Sequence, residues 1–83
     1  MDKVLVEVFV PVLEQTFEIF VPLQLPMYEV LELIKKALQE MYDGRFIAHE
    51  STVICFRDSG HIINVNLSIL ELDIKNGSKL MII

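Results

Sequence analysis

Two runs of alternating side chains near the N-terminus constrain the fold more than any other feature of this sequence. Valine occupies every second position from Val4 to Val10, and apolar residues occupy every second position from Phe17 to Val21. A period of two is typical of strands with one buried face, because successive side chains point to opposite sides of the backbone. The short segment between the runs predicts that they pair as an antiparallel hairpin.

A helix is predicted from about Met27 to Tyr42. Its apolar residues recur at three- and four-residue spacing and form one stripe: Val30, Leu31, Ile34, Ala37, Leu38 and Met41. Pro26 suits the first helical position, where a missing N–H costs nothing, and Asp43-Gly44 is expected to end the helix.

Beyond a loop around 45–51, "TVICF" (52–56) predicts a third strand. Its register stays open, since either Val53 and Cys55 or Ile54 and Phe56 can face inward. "RDSG" is a turn signal, and "HIINV" (61–65) predicts a short fourth strand.

The last segment of the sequence combines two turns with a strand. The mixed spacing of "LSILELDIKNG" predicts a tight turn or one short helical turn near Ser68 to Leu72. Asn76-Gly77 supplies a left-handed turn position, and Ser78 to Ile83 are expected to form the final strand.

The resulting order of elements predicts an α+β fold. If the first and last strands pair in parallel, the C-terminal strand lies in the middle of a mixed four- to five-stranded sheet, with one helix packed across one face. The 83 residues are expected to form one domain, 1–83.

This order and the ending "LSILELDIKNGSKLMII" resemble the ubiquitin-like β-grasp superfamily. Members of that superfamily carry an ending of the type Leu-Ser-x-x-x-Ile-x-x-x-Ser/Thr-x-Leu-x-Leu. The positions that match it here are Leu67/Ser68 or Ile69, Ile74, Gly77, Leu80 and Ile82.

Within the superfamily, the chain resembles the small bacterial ubiquitin-like proteins of the YukD/EsaB type, which are associated with type VII secretion in Gram-positive bacteria. The likeness rests on "LPMYEVLELI" at the helix start, on "LELDIKNGSKLMII" and on the absence of residues after the final strand. The resemblance implies a cytoplasmic accessory or regulatory role in a WXG100 or ESX-like secretion apparatus.

Ubiquitin and the sulfur carriers of this fold end in a flexible Gly-Gly extension, whereas this sequence ends at Ile83. Conjugation and sulfur transfer are therefore not expected. Two alternatives remain: a modifier or sulfur carrier whose chain continues past Ile83, or a structural β-grasp module of a larger secretion protein.

Catalysis, metal binding and cofactor binding are not expected. Cys55 is the only cysteine, and His49, His61 and Asp58 are scattered around it without the spacing of a zinc site or the signature of a cysteine nucleophile. A lone strand cysteine usually behaves as a small buried hydrophobe. The same absence of a second cysteine favours a reducing compartment such as the cytoplasm.

Charge and hydropathy disfavour two classes of partner. The net charge is −5 and the basic residues form no stripe, which disfavours binding to nucleic acid. No apolar stretch approaches the length of a membrane span, so no membrane insertion is expected.

The predicted interaction site lies on the sheet face that the helix leaves uncovered. Strand alternation places five apolar side chains there: Leu5, Phe9, Phe20, Met81 and Ile83. Glu7, Glu18 and Lys79 are expected to form its polar surround. A cluster of this kind favours an interface with another protein, possible partners being a secretion component or a second copy of the chain.

Overall fold

The computed structural model describes residues 2–43 and 52–83. The predicted loop around 45–51, which includes His49, lies outside the described residues. Within them the chain runs through strand β1 (Lys3–Val10), a 3₁₀ turn (Pro11–Leu13), strand β2 (Gln15–Pro22), helix α1 (Met27–Tyr42), strand β3 (Ile54–Phe56) and strand β4 (Lys79–Ile82).

The predicted hairpin is present, with β1 and β2 paired antiparallel along their whole lengths, from Lys3 opposite Pro22 to Val10 opposite Gln15. The 3₁₀ turn joins them, and Glu14 reverses the chain in the left-handed region at φ 53°. The valines of β1 face the helix as the alternation predicts, because Val6, Val8 and Val10 are all buried.

The strand order is β2-β1-β4-β3. Strand β4 pairs in parallel with β1, where Val8 lies opposite Leu80, and antiparallel with β3, where Ile54 lies opposite Ile82. The C-terminal strand is therefore central in a mixed four-stranded sheet. This confirms the predicted α+β β-grasp fold.

Helix α1 has the predicted bounds, but Pro26 precedes its first residue and occupies the N-cap, with an extended conformation at φ −68° and ψ 149°. Pro26 offers no side-chain hydrogen bond to the first turn. Instead, the N–H of Met27 donates to the Leu67 carbonyl at 2.8 Å and the N–H of Tyr28 donates to the Val65 carbonyl at 2.9 Å. The loop before β4 thus satisfies amides that a helix start leaves without intrahelical partners.

That demand explains why "HIINV" does not form the predicted fourth strand. Ile62 makes one isolated antiparallel bridge with Cys55, and the Ile63 N–H donates to the Ile54 carbonyl at 3.0 Å. Beyond this point the chain turns towards the start of α1, where the carbonyls of Val65 and Leu67 accept hydrogen bonds from the first helical amides. A continuous strand would direct those carbonyls elsewhere.

The core lies between α1 and one face of the sheet. Its fully buried side chains come from β1, α1, β3, β4 and the loop before β4: Val6, Val8, Val10, Met27, Ile54, Ile69, Leu80 and Ile82. Strand β2 adds Val21, which is 3% exposed. The open register of the third strand is resolved, because Ile54 faces this core and Phe56 packs against it. Two members of the predicted helix stripe, Ala37 and Met41, are exposed.

Candidate functional site

The five predicted interaction residues lie on the sheet face opposite α1. Leu5 lies directly beside Phe20 on the neighbouring strand, and Phe9 lies directly beside Met81. Phe20 is 67% exposed and Ile83 is 58% exposed, whereas the other three are half-buried. We call these five residues the outer-face patch.

A charged row divides the outer-face patch. Glu7 is flanked by Glu18 on β2 and by Lys79 on β4, and this row separates Leu5 and Phe20 from Phe9 and Met81. The predicted polar surround therefore crosses the patch instead of encircling it.

Arg57 covers part of one apolar pair, since its guanidinium carbon lies 4.4 Å from the centre of the Phe9 ring. A cation over an aromatic face is attracted by the ring quadrupole. The hydrocarbon part of the arginine side chain also shields apolar surface of the ring from water. Cys55 lies beside Met81 on this face but is only 1% exposed, so it does not extend the accessible patch.

A second apolar surface, which we call the β2–α1 groove, lies between the edge strand and the helix. Its cavity measures about 230 Å³ and is lined on the strand side by Phe17, Ile19 and Phe20. On the helix side, Leu33 is 61% exposed and Met41 is 62% exposed. The helical spacing did not predict this groove, because it puts Met41 in the apolar stripe that is expected to be buried and leaves Leu33 outside that stripe.

Packing at one end of the groove fixes the distance between its walls. The ring of Phe17 meets the ring of Tyr42 edge-on, with 6.0 Å between their centroids. The arrangement ties β2 to the last turn of α1.

Among the described residues, two of the groups that invite a catalytic interpretation, Cys55 and His61, lie in different environments. Burial raises the pKa of the Cys55 thiol, which disfavours the nucleophilic thiolate. Its sulfur lies 3.6 Å from the Met81 carbonyl oxygen. His61 is exposed in the turn, where its backbone N–H donates to Ser59 Oγ. In residues 2–43 and 52–83 no three His, Cys, Asp or Glu side chains are grouped as metal ligands would be.

No helix in the described part of the chain has the length and apolar character needed to cross a membrane. No protein-family model and no curated protein matches the sequence.

Solved structures do match, over almost the whole chain. The ubiquitin-like domain of the Mycobacterium tuberculosis type VII secretion system protein EccD1 superposes with a TM-score of 0.77 at 15% identity, covering 100% of this chain and 99% of that one. The EccD5 ubiquitin-like domain from Mycobacterium xenopi gives 0.71 at 17% identity, covering 100% and 94%. A ubiquitin of Caldiarchaeum subterraneum gives 0.69 at 11% identity, covering 98% and 91%. The fold of this chain is ubiquitin-like.

Proposed function

We propose that this chain is a non-catalytic ubiquitin-like protein-interaction domain. In this proposal it serves in the cytoplasm as an accessory or regulatory component of a Gram-positive type VII secretion system of the WXG100 or ESX-like kind, in the manner of the YukD/EsaB proteins. The observation that carries the proposal is the end-to-end similarity to the EccD1 domain, 99% of which is covered.

Two structural features support an interaction role over a chemical one. The outer-face patch and the β2–α1 groove expose apolar side chains that a folded domain gains nothing from leaving in water, and clusters of this kind usually mark interfaces. The one thiol, by contrast, is buried and its pKa is raised. Docking through the outer-face patch is the proposed mechanism.

The test is export from cells that lack the protein. Deleting the gene in the source organism should reduce the amount of small helical-hairpin substrates in the culture supernatant, measured by immunoblotting, and the wild-type gene supplied in trans should restore it. A protein exported by the general secretory route serves as the control and should be unaffected. Unchanged export of the helical-hairpin substrates in the deletion strain would contradict the proposed role.

The similarity to an archaeal ubiquitin supports a second candidate, a protein modifier or sulfur carrier. Ile83 donates its N–H to the Val53 carbonyl and accepts a hydrogen bond from the Val53 N–H, both at 3.0 Å. A reactive carboxylate would therefore require further residues beyond the sheet. Covalent adducts of higher mass on a denaturing gel of source cells would favour this candidate, and their absence would eliminate a modifier.

A further inference from the structure

Four charged side chains form a row across the outer sheet face. Glu18 on β2 lies opposite Glu7 on β1, and Glu7 lies opposite Lys79 on β4. Arg57 follows the end of β3 and lies on the far side of Lys79, since its N–H donates to the Lys79 carbonyl at 3.0 Å. In strand order, the row therefore has two negative charges on one half of the sheet and two positive charges on the other half.

The row is not neutralised within the sheet. In residues 2–43 and 52–83, no ion pair joins one member of the row to another. Like charges directly opposite each other destabilise paired strands, which applies to Glu7 with Glu18 and to Lys79 with Arg57. Each half of the row would therefore be stabilised by a partner that brings the opposite charge.

The order of the charges makes the row complementary to itself. If a second copy faces the first about a two-fold axis that runs along the strands between β1 and β4, the two halves of the row exchange places. Glu7 then lies against Lys79 of the second copy, and Glu18 lies against Arg57 of the second copy. An axis across the strands would instead set Glu7 against Glu7, so charge selects the first arrangement. That arrangement also keeps the strand directions aligned, as in most sheets that pack face to face.

The same axis matches apolar side chains. Phe9 and Met81 lie opposite each other on β1 and β4, so the axis passes between them as it passes between Glu7 and Lys79. Phe9 of each copy would meet Met81 of the other, and contacts between methionine sulfur and an aromatic ring are favourable. The Arg57 guanidinium, 4.4 Å from the centre of the Phe9 ring in the single chain, would leave the ring for the carboxylate of the second copy.

The net charge of the chain does not oppose this arrangement at the contact itself. The net charge is −5, but the row carries as many positive charges as negative ones. The acidic residues Glu29, Glu32 and Glu40 lie on α1, beyond the sheet. Exposed charges more than about 8 Å apart are largely screened at physiological ionic strength, so the contacts within the row dominate.

We propose that two copies of this chain associate through their outer-face patches, about a two-fold axis along the strands that sets Glu7 of each copy against Lys79 of the other. This inference rests on the proposed function, because it names the protein that the outer-face patch binds. The charged row fixes the orientation of the two copies, and the contacts between Phe9 and Met81 bury apolar surface on either side of the axis.

The first test is the association of the purified chain with itself. Sedimentation equilibrium between about 1 µM and about 1 mM should show the mean mass rising from that of one chain towards that of two. With the chain labelled with ¹⁵N, the amide chemical shifts of Leu5, Phe9 and Met81 should move over the same range. Those of Leu33 on α1 should not move.

Charge reversals test the orientation. Glu7→Lys or Lys79→Glu places like charges together at two symmetric contacts, so each should weaken association at least about tenfold. The two substitutions shift the net charge in opposite directions, so a weakening shared by both does not come from net charge. Glu40→Lys, the matched control on α1, makes the same change of charge as Glu7→Lys and should not weaken association.

Two combinations should restore association. Glu7→Lys and Lys79→Glu in one chain exchange the central charges and should return the dissociation constant to within a few-fold of the wild type. An equimolar mixture of the two single variants should form a heterodimer tighter than either variant with itself, since every contact then joins opposite charges. Such rescue requires that residues 7 and 79 meet across the axis.

Three results would overturn the proposal. The first is a wild-type chain that stays monomeric at about 1 mM. The second is a set of concentration-dependent shifts centred away from the outer face, for example on Thr16. The third is weakening by the single variants without rescue in the double variant or the mixture. The proposed function would survive each of these, because export that depends on Met81 in a monomeric chain would assign the outer-face patch to a different protein.

Discussion

Neighbouring residues of β4 have opposite environments, and this contrast fixes which of them stabilise the fold. Leu80 and Ile82 are buried between the sheet and α1, and Leu80 lies opposite Val8 on one side and Phe56 on the other. Met81, between them, faces the outer side and is half-buried. A single residue of separation therefore distinguishes a core contact from a surface contact.

Truncating Leu80 should cost far more than truncating its neighbour. We expect Leu80→Ala to lower the free energy of unfolding by about 2–5 kcal/mol, because it removes a fully buried side chain and leaves a cavity. Met81→Ala, the matched control, should cost clearly less. Urea denaturation followed by circular dichroism measures both, and equal losses would show that β4 is not seated as described.

The turn that leads into β4 is held by the side chain of Asn76 and the backbone of Gly77. Asn76 Oδ1 accepts the Leu5 N–H at 2.7 Å, and the Gly77 N–H donates to the Leu5 carbonyl at 2.8 Å. Gly77 has a φ of +87°, in the left-handed region that residues with a Cβ atom rarely adopt. The turn thus joins β4 to β1 before their parallel pairing begins at Glu7 and Lys79.

Substitution of Gly77 should reveal a purely conformational cost. An added Cβ meets nothing within 4 Å, so Gly77→Ala should destabilise by about 1 kcal/mol through backbone strain alone. Gly77→Asn should cost less, because asparagine tolerates the left-handed region better. Urea midpoints compare the two variants, and a neutral Gly77→Ala would contradict the assigned conformation.

The turn that follows Ser68 is closed by a reciprocal pair of hydrogen bonds. The Ser68 N–H donates to Glu71 Oε1 at 2.9 Å, and the Glu71 N–H donates to Ser68 Oγ at 3.1 Å. This is the capping-box pattern, used here on a single turn. The hydrogen bond from the Ser68 backbone N–H to the carboxylate is the main cause that lowers the pKa of Glu71, and the Ser68 hydroxyl group lowers it further.

The lowered pKa predicts a direction for the pH dependence. The carboxylate of Glu71 stabilises the fold above its unfolded-state pKa, and this contribution is lost as the pH falls through the lower folded-state value. An NMR titration should place Glu71 below the usual range of glutamates, and Ser68→Ala should move it part of the way back. A Glu71 that titrates in the ordinary range and ignores Ser68→Ala would rule out the capping pair.

At the scale of the whole molecule, local patterns predicted the elements well but not the surfaces they create together. The alternation of Val4 to Val10 is determined within a single segment and gave the correct core face. The stripe of α1 gave the correct core residues except Ala37 and Met41, which are exposed. Pro26 and "HIINV" were misassigned because a contact distant in sequence decides them: the carbonyls of Val65 and Leu67 bond to the start of α1.

The β2–α1 groove illustrates the same limit. Whether Met41 at the edge of a helical stripe is buried depends on how far the sheet extends beneath it, and within residues 2–43 and 52–83 no strand lies beyond β2. The outer-face patch could be placed from alternation alone. The row formed by Glu7, Glu18 and Lys79 required the strand order, because only β4 brings Lys79 beside Glu7.

We propose that the chain acts by binding a protein through its outer-face patch and not by chemistry at the Cys55 thiol. The most direct measurement is export of the helical-hairpin substrates in the deletion strain supplied with Met81→Glu, Cys55→Ala or the control Leu70→Glu, each first shown to be as stable as the wild type. We predict that Cys55→Ala and Leu70→Glu restore export and that Met81→Glu does not. Full restoration by Met81→Glu, or loss of export with Cys55→Ala, would contradict binding through the outer-face patch.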